Sequence, residues 1–251
     1  MSDHWDVYFA NVNDKPASLL VDIGICETAP DANQPWLLWA WVHFNDPRED
    51  GFPGVEEGDA LAEIEDALNQ AVGDAEGVPV GRITTDGRRE FFFYAPSFAG
   101  FEDTVARTMQ AFPNYRFEAG THHDPEWEHY LGVLFPSPHD WQCIQNRHVI
   151  EQLESHGDSL EKERTVSHWA YFPSAASRAQ FVAAVRKLGY EVTNEGEPED
   201  SSKPCPFGAN IERVERVDWA SINEITLELF DLAESFEGEY DGWETSIEKA
   251  D

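Results

Sequence analysis

The 251 residues are 41% hydrophobic and 13% aromatic, which suits one large core or two ordinary ones and excludes wholesale disorder. The 49 acidic side chains outnumber the 17 basic ones for a net charge of −32. That balance excludes direct nucleic-acid binding through Lys and Arg, disfavours an anionic membrane and attracts a basic protein segment.

The acidic excess lies in both halves, with 25 acids against 7 bases in residues 1–139 and 24 against 10 in residues 140–251. Solubility or a high-salt habitat accounts for it without a partner. Cys26, Cys143 and Cys205 are too few and too scattered for a disulfide framework or a zinc knuckle. Asp3, His4 and Asp6 near the start do not read as a signal peptide. No apolar run approaches the length of a membrane span, and a cytoplasmic location is the expectation.

In chain order, Trp5–Ala10 and Ala17–Asp22 are β-prone runs joined by the turn residues Asn13-Asp14-Lys15-Pro16, which predicts a hairpin. Trp36–Phe44 predicts a strand, and a Gly/Pro/Asp-rich loop follows over Asn45–Gly58. Leu61, Ile64, Leu68 and Val72 then share one helix face, with Asp59 as the expected N-cap. Val80–Thr85 and Glu90–Tyr94 flank the tight turn Asp86-Gly87. Phe101, Val105, Met109 and Phe112 mark a second helix that starts near Ser97, and Tyr115–Ala119 a closing strand. The order from Trp36 is β-α-β-β-α-β.

The second half repeats it. Pro136-Ser137-Pro138 marks the expected boundary, which predicts domains over 1–136 and 140–251. A lead-in helix over Trp141–Ser155 has Ile144, His148 and Leu153 as inward candidates, and Gly157 ends it. Thr165–Phe172 predicts a strand, Ser174 caps a helix with Phe181, Val185 and Leu188 on its apolar face, and Gly189 stops it. Tyr190–Thr193 and Ala209–Val217 are strands joined by a polar loop over Glu195–Phe207. Ser221-x-x-Glu224 reads as a capping box for a helix carrying Ile222, Ile225, Leu229, Leu232 and Phe236. Tyr240–Ile247 is the last strand, with a bend or bulge at Asp241-Gly242. The fold class is therefore α+β: two ferredoxin-like βαββαβ domains, each an antiparallel sheet with helices on one face, and an N-terminal β-hairpin extension.

Lys187-Leu188-Gly189-Tyr190-Glu191-Val192-Thr193 and Glu237-Gly238-Glu239-Tyr240-Asp241-Gly242-Trp243-Glu244 resemble the regulator of ribonuclease E activity B family. The resemblance covers roughly Asp140–Asp251. It implies a ferredoxin-like fold with an extra leading helix, an RNA-degrading enzyme as protein partner, and no catalytic residues. Lys203-Pro204-Cys205-Pro206 does not match the family pattern, and the very acidic tail such inhibitors often trail is not seen before Asp251. The first half resembles a bacterial domain of unknown function, DUF 695. Trp5-Asp6-Val7-Tyr8, the Gly51–Gly58 loop, Gly81-Arg82, Asp86-Gly87-Arg88, Phe92-Phe93-Tyr94 and Asp124–Tyr130 carry that resemblance, which implies no activity.

Several clusters bring together side chains that could carry chemistry. His122, Glu126 and His129, within Thr121–His129, are the densest candidate metal ligands, because Glu126 and His129 stand three apart on a helix that Asp124 would cap. The competing reading is a capped helix anchored by Trp127. Cys143 and His148 are five apart and do not face each other on a helix. Arg82, Arg88 and Arg89 form a basic knot that either holds an anion or is neutralised by Asp86 and Glu90. Gly51, Gly54 and Gly58 lack the Lys-Ser/Thr of a phosphate loop. Trp39 and Trp41 share one face of a strand, which favours packing over base stacking on so acidic a chain.

The leading expectation is an acidic, non-catalytic, protein-binding regulator that inhibits an RNA-degrading assembly by docking on a basic or disordered segment. The candidate contacts are Glu228, Asp231, Glu234, Glu237, Glu239 and Asp241, of which the first three share an exposed helix edge. No cofactor is expected. The alternatives are a metal-dependent or acid/base enzyme using the His122–His129 cluster, and an acidic mimic of nucleic acid.

Overall fold

The computed structural model describes residue 2, residues 4–196 and residues 203–249. The chain divides into two compact units, Met1–Asp140 and Trp141–Asp251. Among the described residues, no helix is long and apolar enough to cross a membrane.

The first unit holds β1 (Trp5–Val12), β2 (Lys15–Asp22), β3 (Trp36–His43), α1 (Gly58–Gly73), β4 (Val78–Thr85), β5 (Arg88–Ala95), α2 (Phe101–Met109) and β6 (Phe117–His123). Its strands form one sheet in the order β1-β2-β4-β5-β3-β6 with antiparallel neighbours. From β3 onward this is the ferredoxin-like arrangement, and the β1-β2 hairpin extends it beyond β4. Asn13 and Asp14 both take positive φ (51° and 62°), as do Asp86 and Gly87 (45° and 79°), the geometry of two-residue hairpin turns.

The expected stripe Leu61, Ile64, Leu68 and Val72 is buried, and with Val105 and Met109 it packs on Leu38, Ala40, Val42, Phe91 and Phe93. Asp59 is not the N-cap. A short turn over Val55–Glu57 leads straight into α1, and Asp59 sits in the first helical turn, where its charge meets the positive end of the helix dipole. Helix α2 starts at Phe101 behind Gly100 (φ 77°), because the Ser97 hydroxyl accepts the Ala99 N–H instead. The Gly51–Gly58 loop braces the β4-β5 turn, where the Gly87 N–H donates to the Gly51 carbonyl at 2.9 Å.

The second unit holds α3 (Pro138–Ser155) apart from its first three residues, then β7 (Arg164–Phe172), α4 (Ala175–Lys187), β8 (Glu191–Gly196), β9 (Phe207–Glu215), α5 (Trp219–Glu234) and β10 (Glu239–Thr245). The sheet order β10-β7-β9-β8, antiparallel throughout, is again ferredoxin-like. Pro138 opens α3 rather than interrupting it. Ser137 and Asp140 exchange hydrogen bonds, Asp140 N–H to Ser137 Oγ at 3.2 Å and Ser137 N–H to Asp140 Oδ2 at 3.2 Å, which is a capping box around a first-turn proline. His148 is exposed, and Asn146 and Ile150 take the inward positions with Ile144 and Leu153. The expected loop over Glu195–Phe207 lies partly outside the described residues.

Two details of the helices differ from expectation, and the end of α5 adds a third feature. Asp218, not Ser221, caps α5: its carboxylate accepts the Ser221 N–H at 3.1 Å and the Ser221 hydroxyl at 2.9 Å, and an acid binds the positive helix end better than a hydroxyl does. Leu188 stays 38% exposed because Gly189 (φ 88°) turns the chain one residue later. Helix α5 is stopped by Glu237 in the left-handed region (φ 61°) with Gly238 N–H donating to Ala233 O at 2.9 Å. Gly238 is there for space: a Cβ would stand 2.3 Å from the Phe172 ring.

Candidate partner-binding surface

Glu228, Asp231 and Glu234 lie on the exposed side of the last turns of α5, and the exposed Glu237, Glu239 and Asp241 follow through the corner into β10. The last turn of α5 has no basic residue. Carboxylates at the negative end of a helix dipole cost about 0.3–1 kcal/mol each, so helix stability does not account for this run of acids. Glu239 also engages Cys205: burial first, then the charge and hydrogen bond of Glu239, push the Cys205 thiol up.

Beneath this corner is a buried polar network. His168 lies in the inward register of β7 with Val166, Ala170 and Phe172, and is fully buried. Its Nε2 is 2.9 Å from Glu215 Oε2 and its Nδ1 is 2.8 Å from the Tyr240 hydroxyl. Tyr190 donates to Glu215 Oε1 at 2.8 Å, and Arg213 Nε donates to the same oxygen at 2.9 Å. With Nε2–H donating to Glu215 and Nδ1 accepting from Tyr240, every proton in the chain has an acceptor. Burial pushes the Glu215 carboxyl up, but His168, Tyr190 and Arg213 outweigh it and hold the group below its ordinary value. Tyr190 and Tyr240 come from the two family-like phrases, so both phrases anchor one network. The bulge expected at Asp241-Gly242 is present, as the β10-β7 register shifts between Tyr240 and Gly242. It lets Tyr240 and Trp243 both face inward, where Trp243 Nε1 donates to Asn146 Oδ1 at 2.8 Å.

The open face of this sheet carries the half-buried Trp169 and Tyr171. They border a groove of about 440 Å³ that runs to α3 and includes Asp241, Gly242 and Glu244. A second hollow of about 370 Å³ shares the same two aromatics and reaches Asn194, Lys203 and Asn210.

In the first unit, the structure does not bring His122, Glu126 and His129 together as metal ligands. His122 and Glu126 are exposed, whereas the His129 ring packs 4.3 Å from Phe92. Among the described residues, no group of three or more His, Cys, Asp or Glu is placed to hold a metal ion. The cause is Asp124, which is buried and accepts N–H bonds from Glu128 (2.9 Å) and His129 (3.0 Å) and the Tyr94 hydroxyl (2.5 Å). These bonds wind a π turn over Tyr130–Leu134 against the sheet, and Trp127 stacks on Tyr94 at 3.9 Å. Burial holds the His129 imidazole below its ordinary value.

The basic knot is divided by the sheet. Arg82 and Arg89 pair with Glu65 of α1, while Arg88 lies 4.4 Å over Trp41 and 2.6 Å from Glu90. On α3, Cys143 is half-buried and His148 exposed. Sequence reasoning missed His168, Glu215 and Asn146. The signal that marks His168 is its place in the inward alternation of β7.

Residues 3–135 match a family of unknown function, DUF695, and residues 143–245 match Regulator of ribonuclease activity B. A protein of that second name from Xenorhabdus nematophila is 31% identical over 109 residues, which are 43% of this chain and 76% of that protein. Two solved structures show a weak likeness to the chain. An unknown protein from Galdieria sulphuraria shares 12% identity over 85% of this chain and 99% of its own, with a TM-score of 0.23. A putative glycine cleavage system transcriptional repressor shares 11% over 84% and 98%, with a TM-score of 0.22. At such scores neither likeness carries an argument.

Proposed function

The chain belongs to the DUF695 family through its first unit and to the regulator of ribonuclease activity B family through its second, and from that premise we propose that it is a non-catalytic protein that restrains RNA turnover by binding a ribonuclease assembly. The acidic corner formed by Glu228, Asp231, Glu234, Glu237, Glu239 and Asp241 docks on a basic or disordered segment of the partner. The observation that carries this reading is the run of exposed carboxylates at the wrong end of the α5 dipole, which is costly locally and suits an electropositive partner. Restraint follows from occupying the scaffold or blocking RNA access.

The test is RNA decay in an extract of the source cell supplemented with the purified full chain. Slower decay with wild-type protein, and unchanged decay with the six acids neutralised to amides, is the expected pair of results. Decay that the wild-type chain leaves unchanged overturns the reading.

A further inference from the structure

The molecule holds two of its own arginines by one device. Arg213 lies 4.1 Å over Tyr190 with Glu215 2.8 Å away. Arg88 lies 4.4 Å over Trp41 with Glu90 2.6 Å away. In each case the guanidinium carbon stands over an aromatic ring while a carboxylate pairs with a guanidinium nitrogen.

The groove between α3 and the bulged strand β10 has the same parts, and among the described residues no Lys or Arg lines it. The register pairs Gly242 with Trp169 and Glu244 with Ser167, so Glu244 shares the open face with Trp169 and Tyr171. Asp241 stands at the bulge beside them. The groove lining includes these two aromatics and two carboxylates but no Lys or Arg. Asp241 and Glu244 make no ion pair among the described residues. Gln145, on the α3 wall, is exposed and offers an amide to a peptide backbone.

We propose that this groove is an arginine-recognition site, in which a guanidinium of an extended partner segment lies on Trp169 or Tyr171 and pairs with Asp241 and Glu244. The charge complementarity follows from the acidity of the second unit and from a groove lining that, among the described residues, has Asp241 and Glu244 but no Lys or Arg, with Lys203 bordering the neighbouring hollow instead. The proposal rests on reading the chain as a protein-binding regulator, and it adds that the contact discriminates arginine from lysine. A diffuse acidic surface would not, because a lysine ammonium carries the same charge but has no planar face to stack.

Calorimetric titration of the full chain with a hexa-arginine peptide and a hexa-lysine peptide, at one salt concentration, tests it. The expected result is hexa-arginine binding roughly 5- to 30-fold tighter, the range of a stacked cation on an aromatic ring. Trp169→Ala and Tyr171→Ala should together remove that preference while leaving hexa-lysine binding unchanged. If that double variant fails to fold, Asp241→Asn with Glu244→Gln, both on exposed side chains, carries the test by weakening hexa-arginine binding at least fivefold. Equal affinity for the two peptides, or a preference that survives these substitutions, overturns the proposal. RNA decay slowed by a chain without arginine preference would sink this inference alone. Arginine preference in a chain that leaves decay unchanged would sink only the regulatory reading.

Discussion

Replacing Glu215 with Gln removes a charge from the centre of the second unit at nearly constant shape. The side chain is 1% exposed and accepts from His168, Tyr190 and Arg213 at 2.8–2.9 Å. An amide keeps one acceptor oxygen but turns an NH2 group toward donors that then have no acceptor. Breaking a buried pair in this way costs about 3–5 kcal/mol. Arg213, at 29% exposed, keeps part of its hydration, so the low end applies, about 3 kcal/mol. For a unit of this size that corresponds to roughly 10–20 °C in melting temperature. Differential scanning calorimetry of the full chain should show the transition of the second unit moving down while that of the first stays in place. Tyr190→Phe should cost less, about 1 kcal/mol, because Glu215 keeps its other donors. A Glu215→Gln loss below about 1 kcal/mol would refute the account of this network as the anchor of both family-like phrases.

Asp158 supplies a pH prediction. Its side chain is fully buried, Arg164 grips it from two nitrogens, and Glu248 and Leu160 donate backbone N–H groups. The hydrogen bond from Arg164 leads in holding its pKa at about 2, against an ordinary 3.8. A depressed carboxyl stabilises the fold above its unfolded pKa, so about 2 kcal/mol should be present above pH 4 and lost as pH falls through 2. Urea titrations across that window should show a shallower slope in Asp158→Asn than in wild type, the remainder coming from the other depressed carboxyls such as Glu215. Gly238→Ala should cost about 1–3 kcal/mol, read by chemical denaturation, because a Cβ 2.3 Å from the buried Phe172 ring must displace it. Glu234→Gln with Glu237→Gln, at the C-terminal end of α5, should raise the melting temperature by relieving the helix dipole, by about 1 kcal/mol in all, while weakening partner binding. A drop in melting temperature would show that these carboxylates serve the fold.

The element order was legible because hydrophobic periodicity survives without tertiary knowledge. The α1 stripe, the two-residue turn at Asp86-Gly87 and the repeated βαββαβ order follow from spacing and turn residues alone, whereas the first hairpin turn is only Asn13-Asp14, with Lys15 and Pro16 already in β2. Caps were less legible: Ser221-x-x-Glu224 satisfies the capping-box pattern, yet the geometry of the entering chain assigns the cap to Asp218. The polar core was the least legible part. His168, Glu215 and Asn146 read as surface residues by chemistry, and their partners Tyr240, Tyr190 and Trp243 are distant in sequence. The His122–His129 cluster misled for the opposite reason. Neighbours in sequence need not converge on one ion: the Asp124 carboxylate is taken up by the Glu128 and His129 backbone N–H groups, and the His129 ring packs on Phe92.

Affinity capture from the source cell, with the full chain as bait at low and high salt, tests the central claim most directly. The account predicts a ribonuclease-containing assembly retained at low salt, released as salt rises, and depleted when Glu228, Asp231, Glu234, Glu237, Glu239 and Asp241 are neutralised. A bait that retains no RNA-degrading component, or a neutralised bait that retains it as well as wild type, would contradict it.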